Sequence, residues 1–237
     1  MSPIRQFSSC FVSTLFVLIA LQSEASDDPV AGTHQLETLN GQVIAERVLD
    51  GIVEPVDIEF LPDGTALVAQ RKAGVITHAN FATGEKLDLT GLPDMHVDDA
   101  AGVHDVALHP DFGDNGWIYV SYSEGAPEYS TLVLDRFRLK GTAVRERERL
   151  FSADAFSEGR YHFAARIALQ DGYVYLTIGD REHPAKAQDL GNHAGTIVRL
   201  HDDGRVPADN QFVGAEEVDG VTPRPEIWVY GLRDPQG

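Results

Sequence analysis

The stretch RYHFAARIALQDGYVYLTIGD, residues 160–180, indicates the fold more clearly than any other part of the chain. Apolar and polar side chains alternate from Ile167 to Leu169, and Tyr173 to Ile178 is rich in β-branched and aromatic residues. The two runs are separated by Asp171-Gly172, a dipeptide typical of two-residue turns. The stretch therefore predicts a β-hairpin.

Three side chains around this hairpin are candidates for proton chemistry: His162 before it, Arg166 at its start and Asp180 at its end. A histidine can gain or lose a proton near neutral pH, and a carboxylate bonded to one ring nitrogen fixes its tautomer and supports its charged form. Polar residues at strand ends more often have only a structural role. Taken alone, the pattern favours that alternative.

A strand–turn–strand unit recurs along the chain, with turns at Asp63, Asp111 and Asp171 that are 48 and 60 residues apart. Such spacings, with several short strands in each unit, are typical of the blades of a β-propeller. The alternative is a β-sandwich with recurring Asp-Gly turns. We predict an all-β, partial β-propeller domain over residues 42–237, with three to four blades, the last beginning at Ile227–Tyr230.

The first 25 residues are typical of a secretory signal peptide, with Arg5, an apolar run from Phe11 to Leu21, and small residues up to Ala25. A retained membrane anchor is the alternative, but the apolar run is too short to span a bilayer. Residues 26–41 are polar and aperiodic, and we predict a flexible leader there. We therefore expect a secreted or periplasmic protein, cleaved near Ala25, whose mature part has no membrane span.

The formal charge of −18 argues against nucleic acid or an anionic membrane surface as a partner. The single cysteine, Cys10, lies inside the predicted signal peptide, so the mature chain is predicted to have no disulfide and no thiol nucleophile. His193, Asp203 and Asp209 lie in polar loops without the ligand spacing of a zinc site or an EF-hand. We predict no metal ligands among them.

Five segments, in this order, resemble the soluble PQQ-dependent aldose sugar dehydrogenases of the glucose/sorbosone dehydrogenase type, where PQQ is pyrroloquinoline quinone. The resemblance extends from Val48 to Gly237 and implies a six-bladed propeller with PQQ above its central channel. The segments are AGVHDVALHPDF (101–112), HFAARIALQDGYVYLTIGD (162–180), AQDLGNHAGTIVRL (187–200), DGRVPADN (203–210) and EIWVYGLRDPQG (226–237).

The resemblance also implies roles for individual residues. His162 corresponds to the base that takes the proton of the sugar C1 hydroxyl, and Asp180 to the carboxylate that orients it. Arg233 corresponds to the arginine beside the quinone oxygen, and Asp234 to the next cofactor contact. The implied substrate is an aldose, which is oxidised to a lactone by hydride transfer to PQQ, and the electron acceptor is left unspecified. Further PQQ contacts and the calcium ligands are expected beyond Gly237.

Five positions depart from the family pattern: Ala100 replaces a glutamine, His104 a leucine, Asp234 an asparagine, Ala165 a glycine and Gln211 a proline. A carboxylate at position 234 is electrostatically unfavourable for an anionic tricarboxylate cofactor. Since the chain stops in mid-fold by this comparison, we expect it to be truncated and its own activity to be weak. Ala100 and Asp234 leave open a catalytically lapsed propeller that binds carbohydrate or protein, and the Asp/His-rich loops leave open a metal-dependent propeller lactonase.

Overall fold

The structure, a computed structural model, describes residues 33–217 and 220–236. The predicted signal peptide and the first part of the leader, up to residue 32, lie outside this range. The described residues form β-strands together with a helical turn, α1 (Phe112–Asn115), and a short 3-10 helix (Pro184–Gln188). No helix in these ranges is long and apolar enough to cross a membrane.

An antiparallel hairpin, β1 (Thr33–Thr38) and β2 (Gly41–Glu46), forms a two-stranded sheet in the N-terminal unit. The structure thus differs from the predicted flexible leader over residues 33–41. Residues 34–46 are nearly all exposed. Since neither face of the hairpin is buried, its strands need no alternation of apolar and polar residues, which is the pattern that identifies a half-buried strand. The turn dipeptide Asn40-Gly41 is the local signal that could have identified the hairpin.

From Val48 onward the chain folds into three four-stranded antiparallel sheets, each ordered as its strands occur in sequence. This is the arrangement of propeller blades, so the predicted all-β propeller architecture is confirmed, with three blades in the described residues. The blades are β3 (Pro55–Phe60), β4 (Ala66–Gln70), β5 (Val75–Asn80) and β6 (Glu85–Asp88); β7 (Val103–Leu108), β8 (Trp117–Ala126), β9 (Tyr129–Lys140) and β10 (Ala143–Ser152); and β11 (Ala164–Gln170), β12 (Tyr173–Ile178), β13 (Thr196–His201) and β14 (Ile227–Tyr230).

The prediction that Ile227–Tyr230 begins another blade is wrong. This segment is β14, which pairs antiparallel with β13 and completes the third blade. The long connection between β13 and β14 is tied back to the blade, since Asn210 Nδ2 donates to the carbonyls of Arg199 at 2.9 Å and Pro225 at 3.0 Å. A strand that returns to its own sheet after so long a loop carries no local signal of its partner.

The second blade is buried on both faces, because successive residues of β8 point to opposite sides of the sheet. Tyr119 belongs to the apolar cluster shared with the third blade. Ile118, Val120 and Tyr122 belong to the cluster shared with the first blade. Alternate side chains of one strand therefore pack the second blade against each of its neighbours.

The first strands of the three blades, β3, β7 and β11, lie next to one another and are joined by Arg166. Its guanidinium donates to the carbonyls of Val56 at 2.9 Å, His104 at 3.3 Å and Gln236 at 3.1 Å. One side chain therefore ties all three blades to the segment that follows β14.

Asp105 is a buried carboxylate of β7 that lies beside Asp57 and Arg166. Its Oδ2 accepts a hydrogen bond from the Ile167 amide at 2.7 Å. Burial, followed by the negative charge of Asp57, raises the pKa of Asp105 well above its usual range. The folded protein therefore favours the protonated form of this carboxyl group.

Because the unfolded chain loses the Asp105 proton near pH 4 and the folded chain keeps it to higher pH, this group lowers stability as pH rises. The substitution Asp105→Asn keeps an acceptor for Ile167 and stays neutral. We expect the free energy of unfolding of Asp105→Asn, minus that of the wild type, to increase as the pH rises above about 4. Urea denaturation between pH 5 and 9 measures this difference. Asp171→Asn, in an exposed turn, is the control. A difference that does not change with pH would contradict the prediction.

Candidate active site

His162 and Asp180 form a close pair between the start of β11 and the end of β12. The Nδ1 atom of His162 lies 2.6 Å from Oδ1 of Asp180, whose residue is only 1% exposed. A carboxylate accepts hydrogen bonds, so an imidazole proton on Nδ1 satisfies this contact and leaves Nε2 as a hydrogen-bond acceptor. The structure brings the two predicted residues together, and their catalytic roles stay predictions.

Arg233 completes the group, with Nη2 at 3.5 Å from Nε2 of His162. Its backbone is held in place because the Asp180 amide donates to the Arg233 carbonyl at 2.7 Å. The neighbouring Leu232 amide donates to the Gly195 carbonyl at 2.9 Å. Residues from three separate segments of the third blade are therefore joined mainly by main-chain hydrogen bonds.

Two glycines permit this assembly because they leave no room for a side chain. A Cβ atom on Gly179 would overlap the carbonyl oxygen of His162, and one on Gly195 would overlap the carbonyl oxygen of Leu232. The two glycines are themselves joined, since the Gly195 amide donates to the Gly179 carbonyl at 3.0 Å. The segments that carry His162, Asp180 and Arg233 thus approach one another through backbone alone.

Backbone strain is concentrated on both sides of the His162–Asp180 pair. Five non-glycine residues there have left-handed φ angles, which L-residues disfavour. Strain of this kind persists where surrounding contacts over-determine the conformation, and it clusters at functional sites. The angles are +54° at His162, +59° at Ala164, +69° at Ala165, +55° at Arg181 and +64° at Glu182.

A cavity of about 480 Å³ opens beside His162, a size typical of small-molecule sites. Side chains from all three blades and their connections line it, among them Arg71, Asp99 and Tyr161. Three of the five positions that depart from the family pattern, Ala100, His104 and Asp234, lie on its wall.

Most charges on the cavity wall are already paired. Glu54 lies between Arg71 and Lys72, whose hydrogen bonds hold its pKa below the usual range. Oδ1 of Asp234 accepts a hydrogen bond from Gln236 Nε2 at 3.0 Å. Within residues 33–217 and 220–236, Arg233 forms no salt bridge. Its guanidinium lies beside Nε2 of His162, which itself lines the cavity.

His104 is a part of the site that the sequence did not reveal, since we noted it only as a departure from a motif. Its Nε2 lies 2.8 Å from Ser123 Oγ, and its ring stacks on Phe163 with 5.1 Å between ring centroids. Burial, with a smaller contribution from nearby arginines, lowers the pKa of His104 to about 3. This second histidine is therefore neutral and buried.

Residues of the polar loops form contacts within the protein. His193 Nδ1 accepts the Asp154 amide at 2.9 Å, and Asp209 pairs with Arg199 at 3.1 Å. In the part of the chain that the structure describes, no three His, Cys, Asp or Glu side chains are grouped to hold a metal ion.

Residues 52–237 match the sequence model of a family described as Glucose / Sorbosone dehydrogenase. This chain belongs to that family. It is 31% identical over 206 residues to aldose sugar dehydrogenase YliI of Escherichia coli strain K12, covering 82% of this chain and 52% of that protein. It is 25% identical over 254 residues to quinoprotein glucose dehydrogenase B of Acinetobacter calcoaceticus, covering 93% of this chain and 51% of that protein.

The fold is likewise similar to solved structures of the family. The crystal structure of the apo-form of a soluble aldose sugar dehydrogenase from Escherichia coli matches with a TM-score of 0.73 and 32% identity. The match covers 80% of this chain and 54% of that one. The chain spans about half the length of the curated relatives it matches.

The glycine contact at the site makes a specific prediction. Gly179→Ala places a methyl group against the His162 carbonyl, so the backbone must shift, and we expect a loss of about 1–3 kcal/mol in the free energy of unfolding. The shift separates His162 from Asp180, which histidine-ring nitrogen NMR reports as loss of the Nδ1–H tautomer. Gly113→Ala, where nothing lies within 4 Å of the new atom, is the matched control. Equal behaviour of the two variants would refute the steric account.

Proposed function

We propose that the protein is an exported quinoprotein that oxidises the C1 hydroxyl of aldose sugars to lactones. The observation that carries this proposal is the geometry of His162. Its Nδ1 is bonded to the buried Asp180 at 2.6 Å, and its Nε2 faces Arg233 at 3.5 Å beside a cavity. The names of the family and of its relatives, which include a quinoprotein and an aldose sugar dehydrogenase, support the same chemistry.

The proton step belongs to His162. Because Asp180 holds the proton on Nδ1, Nε2 is the atom that accepts the proton of the C1 hydroxyl. The imidazolium formed is stabilised by the buried carboxylate, as in other histidine–carboxylate pairs. Bound PQQ supplies the acceptor for the hydride that leaves C1, so the sugar loses two electrons and two hydrogens in total and becomes the lactone.

The charge step belongs to Arg233. A guanidinium stays protonated at any working pH, and that of Arg233 forms no salt bridge within the described ranges. It therefore can donate hydrogen bonds to the negative charge that develops on the hydride acceptor. This stabilisation is stronger in the transition state than in the ground state, because the negative charge has begun to develop there.

The residues present fit one side of a quinone cofactor. They offer a proton acceptor in His162, a cation in Arg233 and a cavity of sufficient size. Asp234, also on the cavity wall, opposes an anionic cofactor by its charge. We propose that calcium offsets this charge when the cofactor is bound. Export is proposed from the signal peptide predicted over residues 1–25.

The charge of Asp234 can be tested by binding alone. Removing one like charge near a tricarboxylate is worth about 1.4 kcal/mol in a medium of intermediate dielectric constant. We therefore expect Asp234→Asn to bind PQQ about tenfold more tightly than the wild type at low salt. Fluorescence titration with PQQ measures this. Asp99→Asn, whose carboxylate on the same wall is paired with Arg160 at 2.9 Å, is the control and should gain less. Equal affinity of Asp234→Asn and the wild type would contradict the prediction.

Reconstitution tests the reaction itself. The protein is incubated with PQQ and calcium, supplied with aldoses, and followed by reduction of an artificial electron-accepting dye. We expect dye reduction that falls about 10²–10⁴-fold in His162→Ala, since a general base contributes that much. His34→Ala, an exposed histidine of the N-terminal hairpin, should retain the wild-type rate.

The same assay has outcomes that would refute the proposal. Dye reduction that is unchanged in His162→Ala would remove the assigned base. Saturable sugar binding with no turnover would favour the catalytically lapsed propeller, to which Ala100 and Asp234 on the cavity wall point. Hydrolysis of a lactone without PQQ would favour the metal-dependent lactonase.

A further inference from the structure

Arg181, the residue after Asp180, is buried completely and bonds to the loop that carries His162. Its Nη2 donates to the Gly159 carbonyl at 2.7 Å, and its Nη1 donates to the Tyr161 carbonyl. Its guanidinium carbon also lies 3.4 Å from the centre of the Phe163 ring. Arg181 therefore contacts the residues on both sides of His162 in the sequence.

Glu182 holds the same loop by its amides. Its Oε2 accepts hydrogen bonds from the amides of Arg160 at 2.8 Å and Tyr161 at 3.3 Å. Arg181 is buried and Glu182 is exposed, and both have left-handed φ angles. The guanidinium of Arg181 therefore binds carbonyl groups of the 159–163 loop, and the carboxylate of Glu182 binds amide groups of the same loop.

The burial of Arg181 requires an explanation beyond space filling. A buried charge is unfavourable unless it is paired, and an apolar residue of similar volume would avoid that cost. Within the described ranges Arg181 forms no salt bridge, and its Nε has no hydrogen-bond partner. Burial lowers its pKa to about 10. The guanidinium donates to Ser130 Oγ at 3.3 Å, and its other hydrogen bonds within the described ranges go to the 159–163 loop.

Those bonds oppose the strain of the loop. His162 and Ala164 have left-handed backbones, a conformation that relaxes unless neighbouring contacts hold it. Asp180 holds only the ring of His162. The contacts of Arg181 and Glu182 with residues 159–163 hold the backbone that carries the ring.

We propose that Arg181 and Glu182 are positioning residues that hold the 159–163 loop so that His162 Nδ1 stays bonded to Asp180 and Nε2 faces the cavity. The proposal rests on the proposed function only for the use of His162 as a base. Arg181 and Glu182 act through His162, and neither is assigned contact with substrate.

The test follows the tautomer of His162 by nitrogen NMR of the histidine rings, with His162→Gln to assign its signals. In the wild type we expect a single Nδ1–H tautomer. In Glu182→Ala, an exposed change that keeps the core intact, and in Arg181→Met, which fills the volume without donors, we expect a mixture of Nδ1–H and Nε2–H forms. Glu182→Gln keeps an acceptor and should retain the wild-type tautomer.

Arg199→Met is the matched control for loss of a buried arginine. Arg199 is buried in β13, stacks on Tyr173 and Trp228, and also has an unpartnered Nε within the described ranges. The Arg199→Met variant should have a lower midpoint of thermal unfolding than the wild type and an unchanged His162 tautomer. In the reconstituted enzyme, Glu182→Ala should lower kcat at least tenfold with KM unchanged, and Glu182→Gln should restore most of it.

A single Nδ1–H tautomer in both Glu182→Ala and Arg181→Met would overturn the proposal. So would a tautomer change of the same size in Arg199→Met, since that would indicate general loosening of the fold. If the tautomer responds as expected while the wild type oxidises no aldose, the positioning role stands and the proposed function fails. The two conclusions can therefore be separated.

Discussion

The close backbone contact between Gly179 and His162 is the constraint on which the site depends. The Gly179 amide donates to the Phe163 carbonyl at 3.1 Å, and its carbonyl accepts from Gly195. Gly195 in turn accepts from Leu232, the residue before Arg233. Three segments are thus set by main-chain bonds that need the absence of side chains at two positions. The His162–Asp180 pair follows from this framework, because it places the two backbone segments close enough for the side chains to form a hydrogen bond.

The framework stores strain, and the polar contacts of a buried arginine and an exposed glutamate offset it. Left-handed residues at each side of the pair are held by Arg181 and Glu182 within the blade. Between blades, Arg166 connects three inner strands and the carbonyl of Gln236, so the segment carrying Arg233 is fixed to the first and second blades as well as the third. Local strain and long-range tethering therefore act on the same few residues.

Sequence patterns predicted the parts of this arrangement that local chemistry encodes. The turn at Asp171-Gly172 and the alternation in β11 predicted the central hairpin, and the recurring turns predicted the blades. The family motif predicted that Arg233 belongs with His162. The sequence did not reveal that β14 belongs to the third blade, because strand pairing after a long connection has no local signal. The bonds of Arg181 were missed because they depend on a left-handed backbone that only the folded contacts stabilise.

The distribution of charge suggests how the cavity selects a ligand. His104 is neutral, whereas Arg71 and Lys72 share the single carboxylate of Glu54, so this part of the wall keeps one excess positive charge. A second contrast lies in two consecutive residues, the cation Arg233 beside His162 and the anion Asp234 on the wall. A ligand is therefore discriminated less by its net charge than by where that charge lies. Negative charge that develops beside Arg233 is stabilised, whereas a fixed anion beside Asp234 is not, and such an arrangement favours a transferred charge over a resident one.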